Sequence, residues 1–275
     1  MLYIVATPLG NLEDLSPRAV RILSEADWIA CEDTRHTRKL LTHFGIRTPT
    51  TSYHEHNESE KAPRLVEKLK GGERGALVSD AGTPLVSDPG YRLVRLCRQK
   101  GVEVLPVPGP SAGLAALSVS GLPSDSFCFA GFPPRRAAAQ REWLNSWSDS
   151  TSTLVFYLSP HILKATLKRI QESLGDRPAF LAREMTKLHE THYSGRLSEL
   201  AEQVEGEKPR GEYTLAVEGI ASGKGNSKAT RLDAAAYVEG LMSRYGLKRR
   251  EAAARAAQEL GLSGREAYQQ SLAPR

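Results

Sequence analysis

Residues 75–90 read GALVSDAGTPLVSDPG and residues 102–117 read VEVLPVPGPSAGLAAL. Each stretch starts as a short apolar strand, Ala76–Ser79 in the first and Val102–Leu105 in the second. Each then runs into a glycine/proline loop and opens a helix. Loops at the C-terminal ends of strands are where α/β sheets bind ligands. Glycine lets backbone N–H groups approach a ligand, and proline sets the loop's shape beforehand. Two such loops close together in the chain point to one preorganised small-molecule pocket.

The same alternation extends outward on both sides. Leu2–Ala6 and Trp28–Cys31 read as strands. Ser16-Pro17 is a helix start, with Ser as N-cap and Pro at the first helical position. Helices are expected near Thr34–His43 and over Glu60–Lys70. Strand–helix alternation implies a mostly parallel sheet covered on both faces. Gly121-Leu122-Pro123-Ser124 breaks the pattern and marks a domain boundary. Beyond it, Phe127–Phe132, Thr153–Leu158, Ala179–Ala182, Glu190–Tyr193 and Tyr213–Val217 read as strands of a second, less regular sheet. A helix is expected over Arg135–Trp147. Another starts at Ser159-Pro160 and carries Leu163, Leu167, Ile170 and Leu174 at steps of four, three and four. The expected organisation is an N-terminal α/β domain at 1–120, a second at 121–220, a polar linker at 221–230 and an all-helical appendage at 231–275. In the appendage, helices are expected at 231–245, 248–260 and 263–271, the last with a Ser263/Glu266 capping box. The turn Gly261-Leu262 between the last two resembles a helix-turn-helix, a pattern that any small helical bundle also gives.

Composition narrows the class. The chain has 275 residues, 40% of them apolar, enough to bury a core without staples. Cys31, Cys97 and Cys128 are dispersed, with no CxxC or Cys/His cluster, so neither a disulfide framework nor a metal centre is expected. The first residues, MLYIVATPLG, lack a basic segment and a long apolar run, and no stretch approaches a membrane span. The expected location is the cytoplasm. Residues 221–275 hold ten basic against five acidic side chains, which equals the whole net charge of +5. A basic appendage suits a nucleic-acid partner, with Lys248, Arg249 and Arg250 its densest run; a solvated helical face has the same composition.

Phosphate-binding motifs are missing. There is no GxxxxGK[ST] and no GxGxxG, and Asp80 inside the first loop would repel a pyrophosphate while suiting a cation or a hydroxyl-bearing ligand. Glu32-Asp33-Thr34-Arg35 follows a strand: Asp33 or Glu32 could orient or deprotonate a hydroxyl while Arg35 grips a phosphate, or Asp33 could simply cap a helix beside a solvated Arg35. Arg183-Glu184-Met185-Thr186-Lys187 is a second charged cluster, with Glu184 a rival base and Lys187 a cation for phosphate or for lowering a hydroxyl's pKa; a surface turn is the structural alternative. His54 and Asn57, and Arg135 with Arg136 after Pro133-Pro134, could contact RNA or serve as ordinary turn and helix-start residues.

Eight blocks occur in order: ATPLGNLEDLSPRA from 6, ACEDTRHTRKLL from 30, HEHNE from 54, LVSDAGTPLVSDPG from 77, VPGPSA from 107, FYLSPH from 156, REMTKLHE from 183 and GEYTL from 211. Together they resemble the cytidine-2′-O-methyltransferases of small-subunit ribosomal RNA, within the tetrapyrrole methylase superfamily. The resemblance runs from residue 2 to about 220. It implies a two-domain tetrapyrrole-methylase-like fold, S-adenosyl-L-methionine (SAM) held in the cleft between domains, a homodimer, and a 30S-type ribosomal particle or its RNA as partner. Carried over block by block, it implies Leu9, Asp80, Gly82, Thr83, Ser87, Ser111, Ala112, Tyr157, Leu158, Met185 and Thr214 as SAM-facing residues. The superfamily often has a plain Gly-Asp-Pro at the second loop, where this chain has Ser79-Asp80-Ala81-Gly82. Two other readings stay open on sequence: a small-molecule methylase acting on a tetrapyrrole, and a non-catalytic RNA-binding protein that senses SAM.

Overall fold

The structure, a computed structural model, describes residues 1–204, 210–220 and 234–260 together with 264, 268 and 271. The chain divides into two compact units, Met1–Ile220 and Ala221–Arg275.

The first unit holds two five-stranded sheets. The first sheet contains β1 (Leu2–Val5), β2 (Trp28–Cys31), β3 (Thr50–Ser52), β4 (Gly75–Val78) and β5 (Val104–Val107), in the order β3-β2-β4-β1-β5. All its pairings are parallel. Helices α1 (Pro17–Glu25), α2 (Thr34–His43), α3 (Glu58–Lys70), α4 (Tyr91–Gln99) and α5 (Ala112–Val119) connect and follow the strands. Apart from the edge strand β3 (Thr-Thr-Ser), the strands are apolar on both faces because both faces are covered. Trp28, Ala30 and Leu77 point to one side, into a cluster with Leu65, Leu69 and Leu93 of α3 and α4. Ile29, Ala76 and Val78 point to the other, against Ala19, Ile22 and Leu41 of α1 and α2. The Ser16 hydroxyl accepts from the Ala19 N–H at 3.1 Å, so the expected cap of α1 is present.

β5 starts two residues later than the expected Val102–Leu105 and runs through Pro106. It is an edge strand, where a residue without an N–H leaves no neighbour unsatisfied. Likewise β4 ends at Val78 rather than Ser79, whose side chain belongs to the following loop. The short edge strand β3 carries too few residues to show a period, and the sequence offered no sign of it.

The second sheet contains β6 (Phe127–Gly131), β7 (Thr153–Leu158), β8 (Pro178–Arg183), β9 (Thr191–Arg196) and β10 (Tyr213–Val217), ordered β6-β7-β10-β8-β9. Only the β6–β7 pairing is parallel, so the sheet is mixed. On one face lie α6 (Ala137–Asn145), α7 (Leu163–Leu174) and α8 (Leu197–Gln203). Leu163, Leu167, Ile170 and Leu174 are all buried there, as their spacing requires. The other face receives α5: Ala116 packs with Val155, Phe180, Ala182 and Ala216. Gly113 faces the same sheet, 3.4 Å from Val155 at its Cβ position, an ordinary packing contact. The break at Gly121–Ser124 falls between α5 and β6, and we keep 1–120 and 121–220 as our proposed domains.

In the second unit, α9 (Ala234–Tyr245) packs on α10 (Arg249–Leu260) through Val238 and Leu241 against Ala252, Ala253 and Ala256. The expected linker 221–230 and the Ser263/Glu266 capping box lie outside the described residues, as does most of the expected helix 263–271.

Gly75, at the start of the central strand β4, sits under the Trp28 ring: a Cβ there would come within 2.2 Å of it. Gly75→Ala should therefore destabilise the protein by about 1–3 kcal/mol through overpacking. A lower denaturation midpoint, largely restored by adding Trp28→Phe, checks this.

Candidate functional site

Three loops leave the C-terminal edge of the first sheet and are tied to one another. The Thr7 N–H donates to the Gly82 carbonyl at 2.9 Å, and the Gly82 N–H donates back to Thr7 at 3.0 Å. The buried Thr7 hydroxyl donates to the Ser79 carbonyl at 3.0 Å, and the Ser79 hydroxyl to Gly82 at 3.1 Å. The Thr83 hydroxyl reaches the Pro110 carbonyl at 3.0 Å, joining the loop after β4 to that after β5. Gly82 takes φ +84°, and the non-glycine residues Leu85 and Ser87 take +74° and +65°. Left-handed non-glycine residues are uncommon, and two within three positions mark a loop held in shape by its surroundings.

These loops face the second sheet across a cavity of about 960 Å³. From the first sheet its wall includes Leu9, Asp80, Gly82, Thr83 and Ser87, followed by Ser111 and Ala112. From the second sheet it includes Tyr157, Leu158 and Thr214. Met185 is not on the wall; it is buried in the apolar cluster against which Leu9 packs. Arg135 is exposed and lines the mouth. Its neighbour Arg136 is exposed at the first position before α6.

The cavity also has walls that the sequence reading missed. Asp88 and Glu212 add carboxylates. Phe132, His161 and Ile162 are exposed on its far side. Thr166 is 2% exposed and lines the cavity, and its hydroxyl has no hydrogen-bond partner. Gln140, fully buried, donates to the Pro134 carbonyl at 3.0 Å and shapes that arm. The Phe132-Pro133-Pro134 punctuation after β6 was a usable signal; Thr166, inside a regular helix pattern, offered none.

The two charged clusters are largely self-satisfied. Asp33 caps α2 by accepting from the Arg35 N–H at 2.8 Å, and its carboxylate pairs with the Arg35 guanidinium at 3.0 Å. Those bonds from Arg35 hold its carboxyl down at about 2. Arg35 itself is 88% exposed. The block thus takes the helix-cap arrangement, with the Arg35 guanidinium turned outward. Glu32 is shifted the other way, upward, by burial and by the nearby Asp80 and Glu55. In the second cluster Lys187 contacts Glu184 at 2.9 Å and Glu212 at 3.0 Å. Burial opposes the charge on both Glu184 and Lys187, but their mutual hydrogen bond and the Glu212 contacts outweigh it, so Glu184 titrates low and Lys187 high. Glu184 and Thr186 adopt φ +53° and +63°. The Lys187 stem crosses Gly10, where a Cβ would lie 2.1 Å from its Cγ. Lys187 therefore bridges the first loop and the second sheet.

Asp88 stands apart from these pairs. It is half-buried on the cavity wall, and burial together with Glu32 and Asp80 pushes its carboxyl up to about 7. Burial also raises the Tyr157 phenol opposite. His54 and Asn57 build a turn: the His54 N–H donates to the Asn57 side-chain oxygen at 3.0 Å and the two side chains meet at 2.9 Å. Neither lines the cavity. Among the described residues, no group of three or more His, Cys, Asp or Glu is placed to hold a metal ion. In the second unit Lys248 and Arg250 are exposed, while the Arg249 guanidinium is bonded to the Ser271 carbonyl.

The family described as Tetrapyrrole (Corrin/Porphyrin) Methylases matches residues 1–201, so the chain belongs to the tetrapyrrole methylases. A relative from Pseudomonas aeruginosa is 45% identical over 274 residues, covering 98% of this chain and 96% of its own, and is named ribosomal RNA small subunit methyltransferase I. One of the same name from Vibrio cholerae is 50% identical over 222 residues, covering 80% and 77%. Among solved structures, uroporphyrin-III-C-methyltransferase from Thermus thermophilus superposes with TM-score 0.57 at 23% identity, over 79% of this chain and 93% of its own. Diphthine synthase gives 0.58 at 16% identity, over 79% and 89%. These two establish the shared fold.

The Glu184–Lys187–Glu212 bridge makes a prediction. Lys187→Met should cost about 1 kcal/mol at neutral pH, since it leaves two carboxylates unpaired. Glu184 titrates low in the folded protein, so its contribution is present above the ordinary carboxylate pKa and is lost on acidification. The stability gap between wild type and variant should close below about pH 4. Chemical denaturation at pH 7 and at low pH checks this.

Proposed function

We propose that this protein transfers a methyl group from SAM to the ribose 2′-hydroxyl of a cytidine in small-subunit ribosomal RNA. The observation that carries the reading is the match to relatives named for that RNA along nearly the full chain, 45% identical over 98% of it. The cavity supports it.

The residues present suit SAM. The wall is mainly apolar at its base, with Leu9, Ala112 and Leu158, and carries the Asp80 and Asp88 carboxyl groups where a ligand with sulfonium and ammonium charges would be attracted. Gly82 lets the backbone come close, and the unpartnered Thr166 hydroxyl has a hydrogen bond to offer. Leu9, Asp80, Gly82, Thr83, Ser87, Ser111, Ala112, Tyr157, Leu158 and Thr214 would hold the donor, with Met185 supporting Leu9 from beneath. SAM supplies an activated methyl group on a sulfonium centre. The protein's share is to fix the acceptor hydroxyl in line, exclude water and accept a proton.

Acidic walls also bear on the acceptor. Asp80, Asp88 and Glu212 repel a polyacidic tetrapyrrole and would repel RNA phosphates from the interior. Phosphates are then held at the rim by Arg135 and Arg136 on one side and Arg35 on the other, while one nucleotide's ribose enters. His54, Asn57 and the Lys248–Arg250 run are assigned to the wider RNA contact, outside the cavity. The homodimer and the cytoplasmic location belong to the same proposal. No helix among the described residues is long and apolar enough to cross a membrane.

Labelled methyl transfer from SAM to small subunits isolated from cells lacking this protein, with nuclease mapping, tests the function. Label on one cytidine's ribose supports it, and no transfer despite SAM binding contradicts it. Arg35→Ala should lower kcat/KM for the subunit about 10- to 100-fold, a loss of roughly 1.4–3 kcal/mol as for a charge-assisted phosphate contact, with SAM affinity unchanged. Calorimetry beside the transfer assay separates the two effects.

A further inference from the structure

We propose that Asp88 is the catalytic group that takes the proton from the acceptor hydroxyl. This rests on the methyl-transfer reading above and deepens it. It reassigns the base from the charged clusters that the sequence singles out to a residue inside the cavity.

Placement comes first. A base must reach the reacting hydroxyl, so it must be on the cavity wall. Asp33, Glu32 and Glu184 are not; Asp80, Asp88 and Glu212 are. Of these three, Asp80 accepts the Asp33 N–H at 3.3 Å, at the base of α2. Glu212 is ion-paired to Lys187. Asp88 has no salt-bridge partner among the described residues. The loop is built to present it. Leu85 and Ser87 in left-handed backbone precede it, and Pro89 and Gly90 follow it, with Gly90 at φ +138°. A Cβ on Gly90 would meet Leu77 at 2.7 Å, so the chain turns back against the strand immediately after Asp88.

Its surroundings then set its chemistry. Glu32 and Asp80 from the first sheet's loops, and Glu212 from the second sheet, all face it with negative charge, offset in part by the Ser79 hydroxyl, whose proton is otherwise given to the Gly82 carbonyl. Tyr157 lies across the cavity and senses the Asp88 charge in turn. Burial and three carboxylates make Asp88 a far better proton acceptor than an ordinary aspartate. Asp33 and Glu184 are pulled the other way by Arg35 and Lys187, which makes them weak bases.

The step balances as follows. The 2′-hydroxyl O–H bond breaks and its proton goes to the Asp88 carboxylate. The hydroxyl oxygen forms a bond to the methyl carbon while the carbon–sulfur bond breaks. That bond's electron pair stays on sulfur, leaving a neutral thioether. The protonated Asp88 releases its proton to solvent after product leaves. The carboxylate is the working form, so turnover rises with pH through the neutral range and then levels off.

The test is methyl transfer to small subunits as a function of pH, with SAM affinity measured by calorimetry on the same preparations. Wild type should show kcat rising about tenfold per pH unit below neutrality to a plateau. Asp88→Asn should lose 100- to 10,000-fold in kcat with no inflection. SAM affinity should fall no more than about tenfold, the share of one carboxylate's attraction for the donor's positive charges, and Asp88→Glu should recover part of the rate. An unchanged inflection in Asp88→Asn, or a loss of SAM binding in place of kcat, overturns the assignment. If wild type itself transfers nothing to the subunit, the functional reading fails separately. Infrared titration of the free protein then decides for Asp88: a protonated carboxyl band lost near neutral pH in wild type and missing from Asp88→Asn supports its poised state, and the same band in both overturns it.

Discussion

Two backbone hydrogen bonds between Thr7 and Gly82, one in each direction, join the loop after β1 to the loop after β4. Everything on the first sheet's side of the cavity depends on that pairing. It closes a small antiparallel bridge beyond the parallel strands, so the loops continue the sheet's hydrogen bonding where the strands have ended. The Thr7 and Thr83 side chains satisfy the Ser79 and Pro110 carbonyls, and the Ser79 hydroxyl gives the Gly82 carbonyl a second bond. A buried polar network of this kind holds a single arrangement because any slip leaves a donor or acceptor unpaired. Gly82 makes the crossing possible through its left-handed backbone.

Charge is the second constraint. Two positive groups near the site are committed in pairs, Arg35 to Asp33 and Lys187 to Glu184 and Glu212, while Arg135 stands exposed at the mouth. The cavity wall itself keeps Asp80 and Asp88. On the proposed reading, a cationic donor is favoured inside and a polyanionic backbone is kept at the rim. The same field raises the proton affinity of Asp88. As proposed here, donor binding and proton removal draw on one arrangement of carboxylates, and the Lys187 bridge over Gly10 holds the two sheets' loops together around it.

Much of this is legible in the sequence alone. Trp28–Cys31, Thr34–His43, Thr153–Leu158 and Tyr213–Val217 have the bounds their sequences indicate, because caps and apolar runs are local signals. The loops at Asp80–Ser87 and Ser111–Ala112 were legible for the same reason: glycine and proline announce them. β5 was displaced because proline is normally a strand breaker, and only the sheet order reveals that Val104–Val107 is an edge. The base we propose was not legible. Asp33 and Glu184 stand beside cations in the sequence, which draws attention to them and also neutralises them. Asp88 stands in a Ser-Asp-Pro-Gly stretch that reads as a helix opening. Its character comes from Glu32, Asp80 and Glu212, which only the fold brings near. Thr166 shares that dependence on tertiary placement.

The central claim is that this cavity, between the bridged loops and the second sheet, is where the methyl donor binds. The most direct measurement is a crystal structure of the protein with S-adenosylhomocysteine. The account predicts density in the cavity in contact with Gly82, Ser111 and Thr214, with the sulfur on the side of Asp88. Density at another place on the chain, with this cavity left to solvent, would contradict it.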